Sequence, residues 1–241
     1  MNMNKFLIIG GLHGNEPLGL EVCKKLEKLR FPYIDVLYGN KKAIQANKRF
    51  IEQDLNRVFP GSNDSYEGRR AKQIMKLCEK YDFVIDFHNT NCPSNNCGFV
   101  GGSKWQKAAN LASFLELNKL IVADYDCINK YVKNCLSVEI SLNDKLCNAD
   151  YWVEKLLSMQ KFKADKTYRK IELYKFSYRI TREQQNRFSF PRWTAFRPLP
   201  VSDLIKLGLK GRYYPIFIDD AYTPYNYAGL IQKLKGFRPI S

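Results

Sequence analysis

The chain has only two histidines, and both stand where short apolar runs end. His13 lies in Gly10-Gly11-Leu12-His13-Gly14-Asn15-Glu16, after the run Phe6 to Ile9. His88 lies in Asp86-Phe87-His88-Asn89-Thr90, closing a run from Phe83 that only Asp86 interrupts. Ligands of open α/β sheets gather at the carboxyl ends of strands, so the two imidazoles occupy equivalent positions. Glu16 follows His13 by three residues, a spacing that brings an imidazole and a carboxylate onto one metal ion. Two His and one carboxylate, with a fourth position left to water, make a catalytic zinc set. The competing reading is a pair of satisfied loop histidines. The glycines around His13, which permit the torsions of a tight loop, weigh toward zinc, one ion per chain.

Other groups fit around such an ion. Asp54-Leu55-Asn56-Arg57 would alone be a polar loop, but beside a metal the amide and guanidinium suit a forked grip on a substrate carboxylate. Arg49, eight residues before Arg57, offers a second positive charge. Glu139 interrupts the apolar strand pattern Leu136 to Ile140. A buried carboxylate is costly unless paired or functional; the alternative is a strand residue facing solvent. Cys92 and Cys97 flank Pro93-Ser94-Asn95-Asn96, and are read as loop cysteines beside the pocket in preference to a redox or metal pair. Trp105, Trp152 and Trp193 are read as core or packing residues.

The elements that must position these groups follow from hydrophobic periodicity. Strands are expected at Phe6 to Ile9, Tyr33 to Tyr38, Phe83 to Phe87, Leu120 to Ala123 and Leu136 to Ile140, and helices at Leu18 to Leu29, Arg69 to Tyr81 and 105–117. Continuous apolar strands alternating with amphipathic helices argue for an α/β sheet covered on both faces. Of the 241 residues, 45% are hydrophobic and 14% aromatic, which excludes a disordered chain, a collagen-like fibre and a coiled coil. No run approaches the ~20 apolar residues of a membrane span. Phe6 to Ile9 is too short for a signal-peptide core, and seven scattered cysteines suit a reducing compartment, so a cytoplasmic protein is expected.

Charge is uneven. Residues 1–160 hold 22 basic and 18 acidic residues, whereas 161–241 hold 17 and 6. The shift predicts two units: an α/β domain over 1–160 that carries these candidate site residues and a smaller, mainly β domain over 161–241. Basic residues interleaved with aromatics over 161–197 predict a surface that attracts anions, unless they are only a solvated face.

The motifs together resemble the succinylglutamate desuccinylase and aspartoacylase family, which is related to the zinc carboxypeptidases. The resemblance rests on Gly-Gly-x-His13-Gly-Asn15-Glu16, Asp54-Leu55-Asn56-Arg57-x-Phe59, Tyr66-Glu67-x-Arg69-Arg70-Ala71, Asp86-Phe87-His88-Asn89-Thr90 and Val138-Glu139, with a weaker match over Tyr214 to Tyr222. It implies a zinc-carboxypeptidase-like mixed sheet flanked by helices, with a catalytic domain over 1–160 and a smaller mainly β C-terminal domain over 161–241 that shapes the pocket entrance. It implies that His13, Glu16 and His88 bind zinc, with Asp54 or Asp86 orienting an imidazole. Glu139 would move the proton from water to the leaving amine, and Arg49 would stabilise the oxyanion. Asn56, Arg57, Tyr125, Tyr222 and Asn89 would contact the substrate, a small acidic N-acyl amino acid or a peptide-like chain.

One position departs from the family. Aspartoacylases have an arginine ten residues before the catalytic glutamate; here that position is Asn129, next to Lys130. An uncharged amide does not replace a guanidinium fork, so a side-chain specificity different from N-acetylaspartate is expected. Two further readings stand beside the amidohydrolase: a carboxypeptidase-like hydrolase of a peptide C-terminus, and a non-catalytic binder of nucleic acid or another polyanion through 161–197.

Overall fold

Apolar runs in the first half of the chain become the inner strands of one mixed sheet. The computed structural model describes residues 3–102, 105–166, 170–188, 193–221 and 226–234. Strand β1 (Phe6–Gly10) is buried along its whole length. It pairs in parallel with β2 (Ile34–Tyr38) on one side and β3 (Phe83–Thr90) on the other. Next comes β6 (Cys135–Ser141), parallel to β3 with His88 opposite Glu139. Strand β4 (Cys97–Gly101) runs antiparallel to β6 and parallel to β5 (Lys119–Ala123), which makes the sheet mixed.

Period-two alternation sorts the strand side chains onto two cores. Phe6, Ile8, Phe87 and Val138 face one core, covered by α1 (Pro17–Leu29), α4 (Gln106–Phe114) and α6 (Ala149–Leu157). Leu7, Ile9 and Val84 face the other, covered by α3 (Tyr66–Cys78) through Ala71, Ile74 and Cys78. Helix α1 opens on Pro17, whose missing N–H costs nothing there. It buries Leu18, Val22 and Leu26 along one stripe and ends at Arg30 in the left-handed conformation. Helix α3 starts three residues before the expected Arg69, because the Ser65 side chain caps it by accepting from the amide of Gly68. Short helices α2 (Lys41–Gln45) and α5 (Ile128–Tyr131) sit in the connections after β2 and β5.

Beyond residue 161 the chain extends the same sheet. Strand β7 (Glu172–Thr181) pairs in parallel with β5, and β9 (Asn226–Lys233) and β8 (Tyr214–Ile216) follow in antiparallel fashion. The order across nine strands is β2-β1-β3-β6-β4-β5-β7-β9-β8. Helices α7 (Arg182–Phe188) and α8 (Val201–Lys206) lie in this segment, which gathers a cluster of its own around Ile180, Trp193, Leu204, Tyr227 and Leu230. Within the basic stretch 161–197, residues 167–169 and 189–192 lie outside the described residues. Among the described residues no helix is long and apolar enough to cross a membrane.

Trp152 locks α6 to the sheet: it is 1% exposed, its ring meets Phe87 edge-on at 5.3 Å, and its Nε1 donates to the carbonyl of Leu146 at 2.7 Å. Trp152→Ala is expected to cost about 3–5 kcal/mol. Urea unfolding should show this as a lower midpoint at unchanged slope; a loss under about 1 kcal/mol would mean that this core is not the main one.

Candidate active site

The loop after β1 presents His13 and Glu16 because it can pass unusually close to α2. Gly11 adopts a φ of +73°, and a Cβ at Gly14 would sit 2.1 Å from the carbonyl carbon of Ala43. His88 arrives from β3, next in the sheet, and the two imidazole centroids are 4.9 Å apart. Glu16 lies between them: Oε1 is 2.7 Å from Nδ1 of His13 and Oε2 is 2.8 Å from Nδ1 of His88. The far nitrogens are also committed. Nε2 of His13 is 2.9 Å from Asp54 Oδ1, and Nε2 of His88 is 2.7 Å from Asp86 Oδ2. A carboxylate stands within hydrogen-bond distance of each Nε2, which orients both rings with Nδ1 toward Glu16. Both aspartates serve, one per imidazole.

One ligand atom from each of His13, Glu16 and His88 lies within 4.8 Å of the others, and all three residues are buried. Burial alone would raise the Glu16 carboxyl, but the two imidazoles overcome it and hold the group well below the usual carboxylate range. Burial would likewise lower His88, and the carboxylates of Glu16 and Asp86 instead raise it well above the usual imidazole value. Burial pushes Asp54 up, and His13, Arg49 and Arg57 outweigh it, leaving the group strongly acidic. Two oriented imidazole nitrogens and an ionised carboxylate suit a divalent cation such as zinc.

Arg49 joins this cluster. Its Nη1 donates to Glu16 at 3.2 Å, and its Nε and Nη2 donate to Asp54 at 3.1 and 3.0 Å. The loop that carries both Arg49 and Asp54 is held by Glu67, a buried carboxylate in the first turn of α3. Glu67 accepts from the amides of Ile51 at 2.8 Å, Glu52 at 3.2 Å and Gln53 at 3.2 Å, and from Asn40 Nδ2 at 3.0 Å. Asn40 in turn caps α2, against which the His13 loop packs. Glu67 belongs to the motif Tyr66-Glu67-x-Arg69-Arg70-Ala71, whose residue types alone assign it no partner.

Glu139 shares a pocket with His13, Glu16 and His88, opposite His88 in the strand register. Burial pushes its carboxyl well above the usual range; His88 pulls it down, while Glu16 and Asp220 add to the rise. Asn56 accepts from the amide of Ile128 at 3.0 Å. Its Nδ2 lies 3.3 Å from Nε2 of His88, and the residue lines the pocket. Arg57 donates to the carbonyl of Asn56 at 2.8 Å and lies 5.1 Å from the centroid of the Tyr125 ring; both residues line the pocket.

The expected substrate residue Asn89 and the specificity position Asn129 line the pocket with their side-chain amides engaged inside the protein. Asn89 was expected to touch substrate, but its side-chain amide is spent inside the protein. Its Oδ1 accepts from the amide of Leu18 at 3.0 Å, its Nδ2 donates to the carbonyl of Ile140 at 3.1 Å, and its backbone amide donates to Glu16 at 3.2 Å. It therefore holds the Glu16 carboxylate from behind. Asn129 is likewise consumed, donating to the carbonyl of Phe99 at 3.0 Å and accepting from the Ser137 hydroxyl at 2.8 Å, while Lys130 pairs with Asp126 at 3.0 Å. Tyr222 lies outside the described residues. Cys97 is no loop residue: it opens β4, with its Cα opposite Glu139, and both Cys92 and Cys97 are free thiols.

Four residues of the expected C-terminal unit that no motif singled out line the pocket: Phe176 and Arg179 on β7, and Phe217 and Asp220 after β8. Asp220 is buried and takes the hydroxyl hydrogen of Thr90, tying this wall to the end of β3.

The family profile described as "Succinylglutamate desuccinylase/Aspartoacylase catalytic domain" matches residues 2–137. A probable aspartoacylase of Nostoc sp. is 34% identical over 142 residues, covering 51% of this chain and 48% of that protein. An N-acyl-aromatic-L-amino acid amidohydrolase (carboxylate-forming) of Rattus norvegicus is 33% identical over 131 residues, covering 46% and 41%. The chain thus spans about half the length of the curated relatives it matches. Its fold is that of the succinylglutamate desuccinylase from Chromobacterium violaceum, with a TM-score of 0.74 at 16% identity over 98% of this chain and 86% of that one. Murine aminoacylase 3 superposes with a TM-score of 0.71 at 17% identity, over 97% and 96%.

The Glu67 cradle carries a prediction about pH. Burial would raise this carboxyl, but the Asn40 amide and the three backbone amides lower it below the ordinary 4.5. A depressed carboxyl stabilises the fold fully above its unfolded value and loses that contribution as pH falls through the folded one. Hydrogen exchange should therefore find the amides of Ile51 to Gln53 protected at neutral pH and opening as the solution is acidified below 4.5. In Glu67→Gln protection should drop about tenfold or more and lose that pH dependence; unchanged protection would remove Glu67 from this role.

Proposed function

The chain belongs to the succinylglutamate desuccinylase/aspartoacylase family, and from that membership we propose that it hydrolyses the amide bond of a small N-acyl amino acid with the help of one zinc ion. The observation that carries the proposal is the meeting of His13, Glu16, His88, Glu139 and Arg57 in one pocket. Relatives named as aspartoacylase, as N-acyl-aromatic-L-amino acid amidohydrolase and as succinylglutamate desuccinylase support the reaction class.

In this reading His13 and His88 hold zinc through Nδ1 and Glu16 through its carboxylate. Bound there, zinc supplies Lewis-acid polarisation of the scissile carbonyl and makes water a stronger acid. The remaining work belongs to side chains. Arg57 and Asn56 bind the α-carboxylate of the amino-acid part and so fix the amide relative to Glu139. Glu139 takes a proton from the attacking water on one carboxylate oxygen and delivers it to the nitrogen of the departing amine. Burial favours the protonated form of Glu139, which suits the second half of that transfer. Arg49, already braced by Glu16 and Asp54, offers positive charge to the oxygen that becomes negative as the carbonyl is attacked. Tyr125 forms a wall for the substrate, and Tyr222 is assigned the same task from the sequence.

Residues of 161–241 shape the pocket entrance in this proposal: Phe176, Phe217 and Arg179 line it opposite the metal ligands. A walled pocket favours a small acyl amino acid over an extended peptide. All seven cysteines are free thiols, which suits the cytoplasm.

Elemental analysis of the purified protein should find one zinc per chain, lost in His13→Ala and His88→Ala. Glu139→Gln should keep the zinc, while amine release from a panel of N-acyl amino acids falls about 100- to 10,000-fold. Undiminished amine release by Glu139→Gln would refute the assignment of the base, and cleavage confined to peptides would move the protein to the carboxypeptidase side.

A further inference from the structure

Asp54 and Asp86 stand behind the two imidazoles, but they are braced in different ways. Asp54 ion-pairs with both His13 and Arg49, so a guanidinium holds it. Asp86 is wholly buried, and among the described residues its one ion pair is with His88. Neutral groups brace it instead. Its Oδ2 lies 2.7 Å from Nε2 of His88, and its Oδ1 accepts from the Ser137 hydroxyl at 2.5 Å. Sheet register places Ser137 there, opposite Asp86 on β3 and opposite Phe99 on β4. Its Oγ is also 2.8 Å from Oδ1 of Asn129, so one hydroxyl proton is shared between two oxygens. The Asn129 amide is held in that orientation from its other end. Its Nδ2 donates to the carbonyls of Phe99 at 3.0 Å and Cys135 at 3.4 Å. A line of contacts thus runs from the backbone of β4 and β6 through Asn129, Ser137 and Asp86 to His88.

We propose that Ser137 and Asn129 are positioning residues, which lock the Asp86 carboxylate and through it the His88 ring, with Nδ1 toward Glu16. The inference rests on the reading of His13, Glu16 and His88 as a zinc site. The terminal torsion of an aspartate is broad, so a carboxylate bonded through one oxygen can still rotate. Bonds on both oxygens remove that freedom, and a ring held from behind presents its other nitrogen in one direction. Neutral partners also leave the charge of Asp86 to His88, whereas Arg49 takes a share of the charge of Asp54. Ser137 and Asn129 line the pocket yet are only 4% and 3% exposed. Their polar groups are turned toward one another and toward Asp86, and so serve the wall of the site.

The chain has only two histidines, so nitrogen-15 NMR can follow each ring separately, with His13→Gln assigning the pair. In metal-free protein the proton on Nε2 of His88 should exchange slowly with water. Ser137→Ala and Asn129→Leu should each speed that exchange about tenfold or more and leave the His13 ring unchanged. Zinc affinity, measured by competition with a chelator, should fall about tenfold or more in both variants. Ser137→Thr, which keeps the hydroxyl, should recover most of it. The absorption bands of cobalt-loaded protein should shift in Ser137→Ala and return in Ser137→Thr. Unchanged His88 exchange and unchanged zinc affinity in both variants overturn the inference. Equal disturbance of the two rings, the mark of general loosening, overturns it as well. A wild type that takes up no zinc refutes the zinc hydrolase reading, and exchange at His88 in metal-free protein then decides the inference by itself.

Discussion

The arrangement depends on one carboxylate, that of Glu16, held ionised inside the protein between two imidazoles. An unpaired charge at such depth would be prohibitively costly. Its cost is met from every side: Nδ1 of both histidines, the guanidinium of Arg49 and the backbone amide of Asn89 all approach it. Each of these partners is itself fixed. Asp54 and Asp86 hold the far sides of the imidazoles, Asp54 and the Glu67-anchored loop hold Arg49, and Asn89 is bound to α1 and β6. The geometry of His13, Glu16 and His88 is therefore a by-product of solving an electrostatic problem, and the helices and strands around it are the means of solution.

Sheet register supplies the rest. His88 and Glu139 are neighbours because β3 and β6 run parallel with these residues opposite one another, and the same alternation that turns Phe87 and Val138 into the core turns His88 and Glu139 to the pocket. A shift of one residue in either strand would bury the catalytic candidates among apolar side chains. The apolar packing on the α1–α6 side is thus what keeps the polar side in order.

The sequence made the near half of the site legible because strand ends with Gly, His and acid residues carry their own signal. His13, Glu16, His88, Asn56, Arg57 and Glu139 were all recognisable, and the structure brings them to one pocket. Strand β4 escaped notice since Cys97-Gly98-Phe99-Val100-Gly101 is short and contains two glycines, a composition that reads as a loop. Glu67 and Arg179 had recognisable surroundings but no recognisable partners. The amides that Glu67 serves lie 14 to 16 residues away, and Arg179 reaches the pocket only through pairing of β7 with β5 and β9. The motif places Asn89 after His88, and strand alternation turns its side chain toward α1, where its Oδ1 accepts from Leu18. Long-range pairing of this kind leaves no local trace in composition or periodicity.

The bridge between Thr90 and Asp220 has a mechanical consequence. It links the residue two places beyond His88 to a segment 130 positions later in the chain, so the far wall is fastened to the floor of the pocket at the end of β3. Strand β7, which bears Phe176 and Arg179, is paired with β5 on the other side. A wall moored at both ends resists swinging open as a flap.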